Sequence, residues 1–154
     1  MAGHLFDLMA TNSDIVVLTG DLGFGLFNKI RDMYPKRFFN VGASEQSLVD
    51  IAVGLAMSGK IPVIYSITPF LLRRAYEGIK LYVDEERIPV IIVGGGRNKD
   101  YLHDGASHWC EEDKDLMKIM KNIKTYWPST KEEVPRMLDK IIKSKKPSYL
   151  NLTR

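Results

Sequence analysis

"RFFNVGASEQSLVDIAVGLAMSG", residues 37–59, decides the fold. "RFFNVG" (37–42) reads as a short strand, and the small residues after it as a turn. Ser44 to Ser58 then carries helical spacing, closed by Gly59. Leu48, Ile51, Ala52 and Leu55 are predicted to form the buried face. Three residues before Leu48 stands Glu45, so a carboxylate falls in the first turn on the inward side. Burying a carboxylate is unfavourable unless it is paired, so the position asks for a chemical reason. A first-turn Glu that only complements the helix dipole is the plainer alternative.

The same unit recurs in both directions along the chain. "DIVVLTG" (14–20) is a β-branched run ending in Gly, a buried strand. "GLFNKIRDMYP" (25–35) has helical spacing and stops at Pro35. "PVIYSI" (62–67) reads as a strand, and Phe70 to Val83 as a helix. "PVIIVGGG" (89–96) is the most apolar strand, and a loop longer than the usual connection follows it. "EDKDLMKIMKN" (112–122), "IKTYWP" (123–128), "KEEVPRMLDKIIKS" (131–144) and "PSYLNLT" (147–153) read as helix, strand, helix and strand. Pro135 sits early in its helix, where it is tolerated. Strands that are apolar on both faces, alternating with helices, predict a doubly wound α/β fold. Its sheet is mostly parallel, of about six strands, with helices on both faces.

Composition agrees with one domain over residues 1–154. The chain is 45% hydrophobic and 27% charged, enough to bury a core. It has no apolar run of membrane-spanning length and no secretory leader in "MAGHLFDLMATNSD". Its one cysteine, Cys110, excludes an internal disulfide framework and suits a reducing, cytoplasmic setting. The net charge of +3 is small, and "KIIKSKK" (140–146) reads as a solvated helix end rather than a nucleic-acid patch.

The unusual residues share one address. "GDLG" follows the first strand, "GASEQ" the second, "SITPF" the third and "GGGRNKDYLHDGASHW" the fourth. All lie at carboxyl ends of parallel strands, where such folds bind ligands. Gly94, Gly95 and Gly96 allow close backbone approach. They form neither a G-x-G-x-x-G fingerprint nor a Walker loop with its lysine. His103, Asp104 and His108, with the nearby Cys and carboxylates, lack the ligand spacing of a metal site.

Taken together, "VVLTGDLG", "RFFNVGASEQ", "GLAMSGKIPVIYSITPFLLRRAYEGIK", "PVIIVGGG", "HDGASHWCEED" and "YLNLTR" resemble the pyrimidine-binding domain of the transketolase family. These thiamine diphosphate enzymes include transketolase and 1-deoxyxylulose-5-phosphate synthase. The pieces occur in family order and cover nearly the whole chain. The resemblance implies that Glu45 hydrogen-bonds N1′ of the cofactor's aminopyrimidine. That bond favours the 4′-imino form, which takes the proton from C2 of the thiazolium. Burial of a carboxyl favours its protonated form, which suits this task.

By the same resemblance Phe70 matches the aromatic that stacks on the pyrimidine ring, and Ile67 stands where some members carry a second aromatic. "HDGASH" matches the family's D-G-x-[ST]-H. This places Asp104 on a substrate hydroxyl and His108 in the donor pocket, where it could donate to a developing alkoxide or move a proton. His103 precedes them as a further substrate contact. Asp21 matches an acidic residue near the thiazolium, with capping of the next helix as its alternative. Tyr76 reads as core, and Trp109 as a pocket or interface residue.

Three departures from the family follow. The G-D-G…N motif that holds Mg²⁺ and the cofactor's phosphates does not occur here, and "GDLG" is not it. The resemblance therefore implies a partner of the transketolase N-terminal, diphosphate-binding type that holds Mg²⁺. It also implies a heterotetramer of two plus two chains, and no activity for this chain alone. The C-terminal transketolase domain is likewise not represented. Finally, a family serine falls near Gly25 and a family histidine near Gly96, both contacts to an acceptor phosphate. Arg154 does match a family arginine there, and Arg97 offers a substitute. The implied reaction is transfer of a two-carbon ketol unit between sugars or sugar derivatives. A split 2-oxo acid decarboxylase or acyloin synthase, and a non-catalytic scaffold, are the alternatives.

Overall fold

The computed structural model describes residues Met1–Arg154. Six strands form one sheet in the order β2-β1-β3-β4-β6-β5, and every neighbouring pair is parallel. They are β1 (Ile15–Thr19), β2 (Phe38–Asn40), β3 (Ile61–Ile67), β4 (Ile91–Gly95), β5 (Lys124–Tyr126) and β6 (Ser148–Leu152). β1 and β4 are buried along their whole length, as their unbroken apolar runs predict. The two edge strands have three residues each, which leaves little unpaired backbone exposed.

Helices cover both faces. Leu5 and Met9 of α1 (Ala2–Thr11), Ile30 of α2 (Asn28–Met33) and Leu138 and Ile141 of α6 (Glu133–Ser144) pack with Val17, Val63 and Val93. On the other face α3 (Glu45–Met57), a helical stretch α4 over residues 70–85, and α5 (Asp113–Ile119) pack with Leu18, Ile64 and Ile92. This is the doubly wound arrangement expected. The chain runs from β1 outward to β2, then crosses back to β3 on the far side of β1. The switch point therefore lies between β1 and β3. No helix is long and apolar enough to cross a membrane.

Three local expectations change. The sequence reading gives residues 2–11 no element, yet they form α1. Its Met1 N-cap makes no side-chain bond, so packing rather than capping holds it. The buried face of α3 is Leu48, Val49, Ala52, Val53 and Ala56, while Ile51 is exposed and Leu55 half-buried. The stripe turns because α4 lies along that flank. At Gly78 a Cβ would stand 3.2 Å from Val49 Cγ1, so the two helices approach closely. Finally, α4 is not a uniform α-helix. It is π-wound over Phe70–Arg74 and Ile79–Glu85, with an α turn at Tyr76–Gly78 between. Its Tyr76 packs half-buried against the core, as read from the sequence. The lysines of "KIIKSKK" are exposed while Ile141 and Ile142 are buried, the solvated helix end expected.

Candidate active site at the strand carboxyl ends

The turn after β2 delivers Glu45 to the switch point. It is the first residue of α3 and 2% exposed. Ser66, near the end of β3, donates from Oγ to Glu45 Oε1 at 3.1 Å. Arg74 of α4 donates from Nη1 to Oε2 at 3.0 Å. Gly20, just past β1, leaves room beside the carboxylate, since a Cβ there would lie 3.7 Å from Oε1. A buried carboxylate with one neutral and one cationic donor is satisfied without being saturated, because each oxygen accepts twice.

Phe70 opens α4, stands half-buried and is linked to this carboxylate through Arg74. The Arg74 guanidinium lies over its ring, 3.9 Å from the centroid. His108 meets the same ring edge-on at 4.9 Å. Thus Glu45, Arg74, Phe70 and His108 form one unbroken series of contacts. Ile67, the last residue of β3, is 7% exposed and paired with Gly95, and belongs to neither hydrophobic cluster.

The loop after β4 carries the remaining predicted residues. His103 and Asp104 sit exposed on a 3-10 turn, Leu102–Asp104. His108 is half-buried, with Nδ1 3.0 Å from Ser107 Oγ. Arg154 stands further along: its guanidinium covers the Tyr101 ring at 4.9 Å, and Tyr101 in turn lies 6.0 Å from His108. Tyr65, Gly96, Tyr101, Lys131 and Arg154 line a cleft of 360 Å³ on that side. Arg97 does not point there. Its Nε donates to Asn151 Oδ1 at 2.8 Å, so the guanidinium is engaged in the fold.

Asp21 takes the opposite flank, in the left-handed region at φ 57°. Asn40 fixes it there. Asn40 Nδ2 donates to Asp21 Oδ1 at 3.1 Å, while its Oδ1 accepts from the Asp21 and Gly42 backbone N–H groups at 2.8 and 3.0 Å. The capping alternative fails, because α2 begins seven residues on and has no side-chain cap.

Several residues escaped sequence reading. Asn40, Ser66 and Arg74 are ordinary polar residues whose role depends on partners distant in the chain. Arg73 is another: it donates to Glu112 Oε1 at 2.8 Å and to the Trp109 carbonyl at 3.0 Å, tying the loop to α4. Beneath the loop, buried Asp113 accepts from Trp127 Nε1 at 3.1 Å and from Asn151 Nδ2 at 3.0 Å. Only the adjacent "RR" in a helix facing the sheet's ligand end could have signalled the arginines.

Burial also sorts the weak acids. The Cys110 thiol is pushed up to about 12, chiefly by desolvation, so it is a neutral core group and not a nucleophile. Desolvation likewise lifts the Tyr65 phenol to about 12 and raises Tyr101. No group of three or more His, Cys, Asp or Glu side chains is placed to hold a metal ion.

The sequence matches the family described as "Transketolase, pyrimidine binding domain" over residues 2–154. It is 34% identical over 119 residues to one subunit of the apulose-4-phosphate transketolase of Actinobacillus succinogenes, covering 77% of this chain and 38% of that protein. It is 32% identical over 151 residues to a putative transketolase C-terminal section of Methanocaldococcus jannaschii, covering 97% and 48%. Among solved structures, a split-gene transketolase described as an inactive β4 tetramer superposes with a TM-score of 0.88 at 30% identity, over 99% of this chain and 49% of that one. The chain thus spans less than half the length of these curated relatives.

Proposed function

The chain belongs to the transketolase pyrimidine-binding family. From that premise we propose that it is the pyrimidine-binding subunit of a two-component, thiamine diphosphate-dependent transketolase-like enzyme. Its partner is a diphosphate-binding chain of the transketolase N-terminal type, which holds Mg²⁺, and two copies of each form the active assembly. The names of two relatives, one a transketolase subunit and the other a C-terminal section, support a division of the enzyme between chains.

The observation that carries this reading is Glu45: a carboxylate 2% exposed, at the switch point, joined through Arg74 to the ring of Phe70. Its ion-pair partner Arg74 stands half in water, so the buried carboxylate is met by a side chain that reaches in from the surface. A flat heterocycle with a ring nitrogen fits this donor set. Phe70 offers it an aromatic face and Glu45 a hydrogen bond to N1′. Ile67 supplies apolar contact at the strand end. When bound, thiamine diphosphate supplies a weakly acidic thiazolium C–H as the source of a nucleophile.

The chain's own groups then divide the work. Glu45, itself shielded from water, holds a proton at N1′. His108, whose edge contact with Phe70 supports a position beside the ring, donates to oxygen on a substrate carbonyl. Asp104 and His103 reach substrate hydroxyls from the exposed turn, and Asp21 bounds the opposite side. Arg154, beside Lys131 at the cleft, suits an anionic end of the substrate. The reaction is transfer of a two-carbon ketol unit between sugars or sugar derivatives.

The test mixes the chain with its diphosphate-binding partner, thiamine diphosphate and Mg²⁺, and follows ketose cleavage. Turnover that needs both chains and falls at least a thousandfold in Glu45→Ala, roughly the scale of a lost acid–base group, supports the reading. Carbon dioxide release from a 2-oxo acid without ketose turnover would replace it with a decarboxylase. Absence of cofactor binding by the reconstituted pair would leave a scaffold.

A further inference from the structure

Arg74 occupies a telling place. It is planar, its guanidinium lies on the face of Phe70 at 3.9 Å, and an N–H of that plane bonds Glu45 Oε2 at 3.0 Å. Aromatic face and carboxylate are the two contacts proposed above for the cofactor's pyrimidine. An aminopyrimidine presents a similar pair of features: a flat π-surface and, along one edge, a ring nitrogen that bonds a carboxyl group through a shared proton. The ring face that Arg74 covers cannot hold a second flat group at the same time.

We propose that Arg74 is an internal stand-in for the pyrimidine ring. In the free chain it fills the pyrimidine's place between Phe70 and Glu45. It must swing out for the cofactor to enter, so it sets the affinity of the site for the pyrimidine. This inference rests on the function proposed above.

The geometry explains how such a device works without strain. Glu45 is almost wholly buried, and leaving it bare would strand a charge. Arg74 side-chain exposure is 51%, so its stem already reaches solvent and its head can return to water by rotamer change alone. The neighbouring Arg73 is held by Glu112 and the Trp109 carbonyl and is not free to replace it. Ser66 keeps its bond to the other carboxylate oxygen in either state. The buried carboxylate is therefore never without a cationic or ring partner, and the exchange moves only one side chain.

A competitor that fills a site most of the time weakens the apparent affinity by the fraction of time the site is open. The experiment titrates the full chain, without partner, with 4-amino-5-hydroxymethyl-2-methylpyrimidine, a probe that carries only the ring in question. Calorimetry gives the dissociation constant, and nuclear magnetic resonance follows the Arg74 Nε–H signal. The expected result is about tenfold tighter binding in Arg74→Ala than in wild type, the gain from removing a competitor that closes the site about nine-tenths of the time. In wild type the Arg74 Nε–H signal moves to its solvent position as the probe saturates. Binding to Arg74→Ala that is unchanged or weaker, with the probe still binding wild type, overturns the stand-in and leaves the pyrimidine site intact. Arg74 would then be a neutral neighbour or a direct contact of the ring. No binding to either protein, with both folded, overturns the pyrimidine reading and the stand-in together.

Discussion

Asn151 is the most exacting place to test how the site loop is held. It is fully buried on β6, the strand beside β4. Its amide orientation is dictated by its neighbours: Arg97 can only donate, so Oδ1 faces Arg97 Nε at 2.8 Å. The Nδ2 group then faces Asp113 Oδ2 at 3.0 Å, Thr68 Oγ1 at 3.1 Å and the Tyr149 hydroxyl at 2.7 Å. Asn151→Leu keeps the branching and heavy-atom count of the side chain and removes all of these polar contacts. Asp113, 3% exposed, loses its best-placed amide donor and keeps Trp127 Nε1, with the Tyr149 hydroxyl at a long 3.4 Å. Arg97 loses its side-chain acceptor. Two groups that each lose a partner, at about 1–3 kcal/mol each, sum to about 2–6 kcal/mol, and the added apolar contact of Leu brings the loss to about 2–4 kcal/mol. With a urea slope of about 2 kcal/mol per M, the unfolding midpoint falls by about 1–2 M. Asn151→Asp refines the test. It sets a second carboxylate against Asp113, so it should be worse than Leu at pH 7 and recover as acid protonates one of the pair. A midpoint within about 0.5 M of wild type for Asn151→Leu, or no acid recovery for Asn151→Asp, would refute the claim that this network holds the loop.

Gly94→Ala should cost about 1–3 kcal/mol, read from thermal unfolding, because its Cβ would stand 2.6 Å from Thr68 Oγ1 and 3.2 Å from the Tyr149 hydroxyl. Arg73→Ala, a half-exposed tie, should change stability by about 1 kcal/mol or less. It should nonetheless speed proteolysis within residues 97–112 and raise KM more than it lowers kcat in the reconstituted enzyme. Cys110 should resist iodoacetamide at pH 8 in the folded chain and react promptly in urea, since burial holds its thiol up at about 12. Cys110 and Tyr65 keep their protons when folded and release them nearer pH 9 and 10 when unfolded. Their contribution is therefore complete below pH 9 and is lost as pH rises toward 12, which a stability series over that window would show.

The sheet was legible because its strands are buried on both faces and carry that burial as unbroken apolar runs. "IVVLT" and "IIVGG" could be little else. The address of the site followed from topology alone. Glu45 was legible from its offset to Leu48, which survives although the buried stripe runs through Val49 and Val53 rather than Ile51. What remained hidden needed partners far along the chain. Arg74 meets Glu45 across 29 residues and Asn40 meets Asp21 across 19, and neither pairing leaves a local pattern. The π winding of α4 was hidden as well, since a short run of wide turns differs from an α-helix by too few residues to shift a visible period. Residues 2–11 were missed because an uncapped helix has no start signal to read.

That winding makes α4 behave like a reading frame. Arg73 and Arg74 are adjacent in sequence yet serve opposite ends of the site, one gripping the loop and the other the carboxylate. Which arginine does which is set by the wide turn at Phe70–Arg74. Deleting one residue upstream of Arg73 within that turn would hand Arg73's grip to Arg74 and leave Glu45 facing Ala75, a residue with nothing to offer it. A deletion within the second wide run, Ile79–Glu85, would fall beyond both arginines and spare their assignment. Two segments of the same shape thus differ in what an edit to them means: one spells the site, and the other only spaces it.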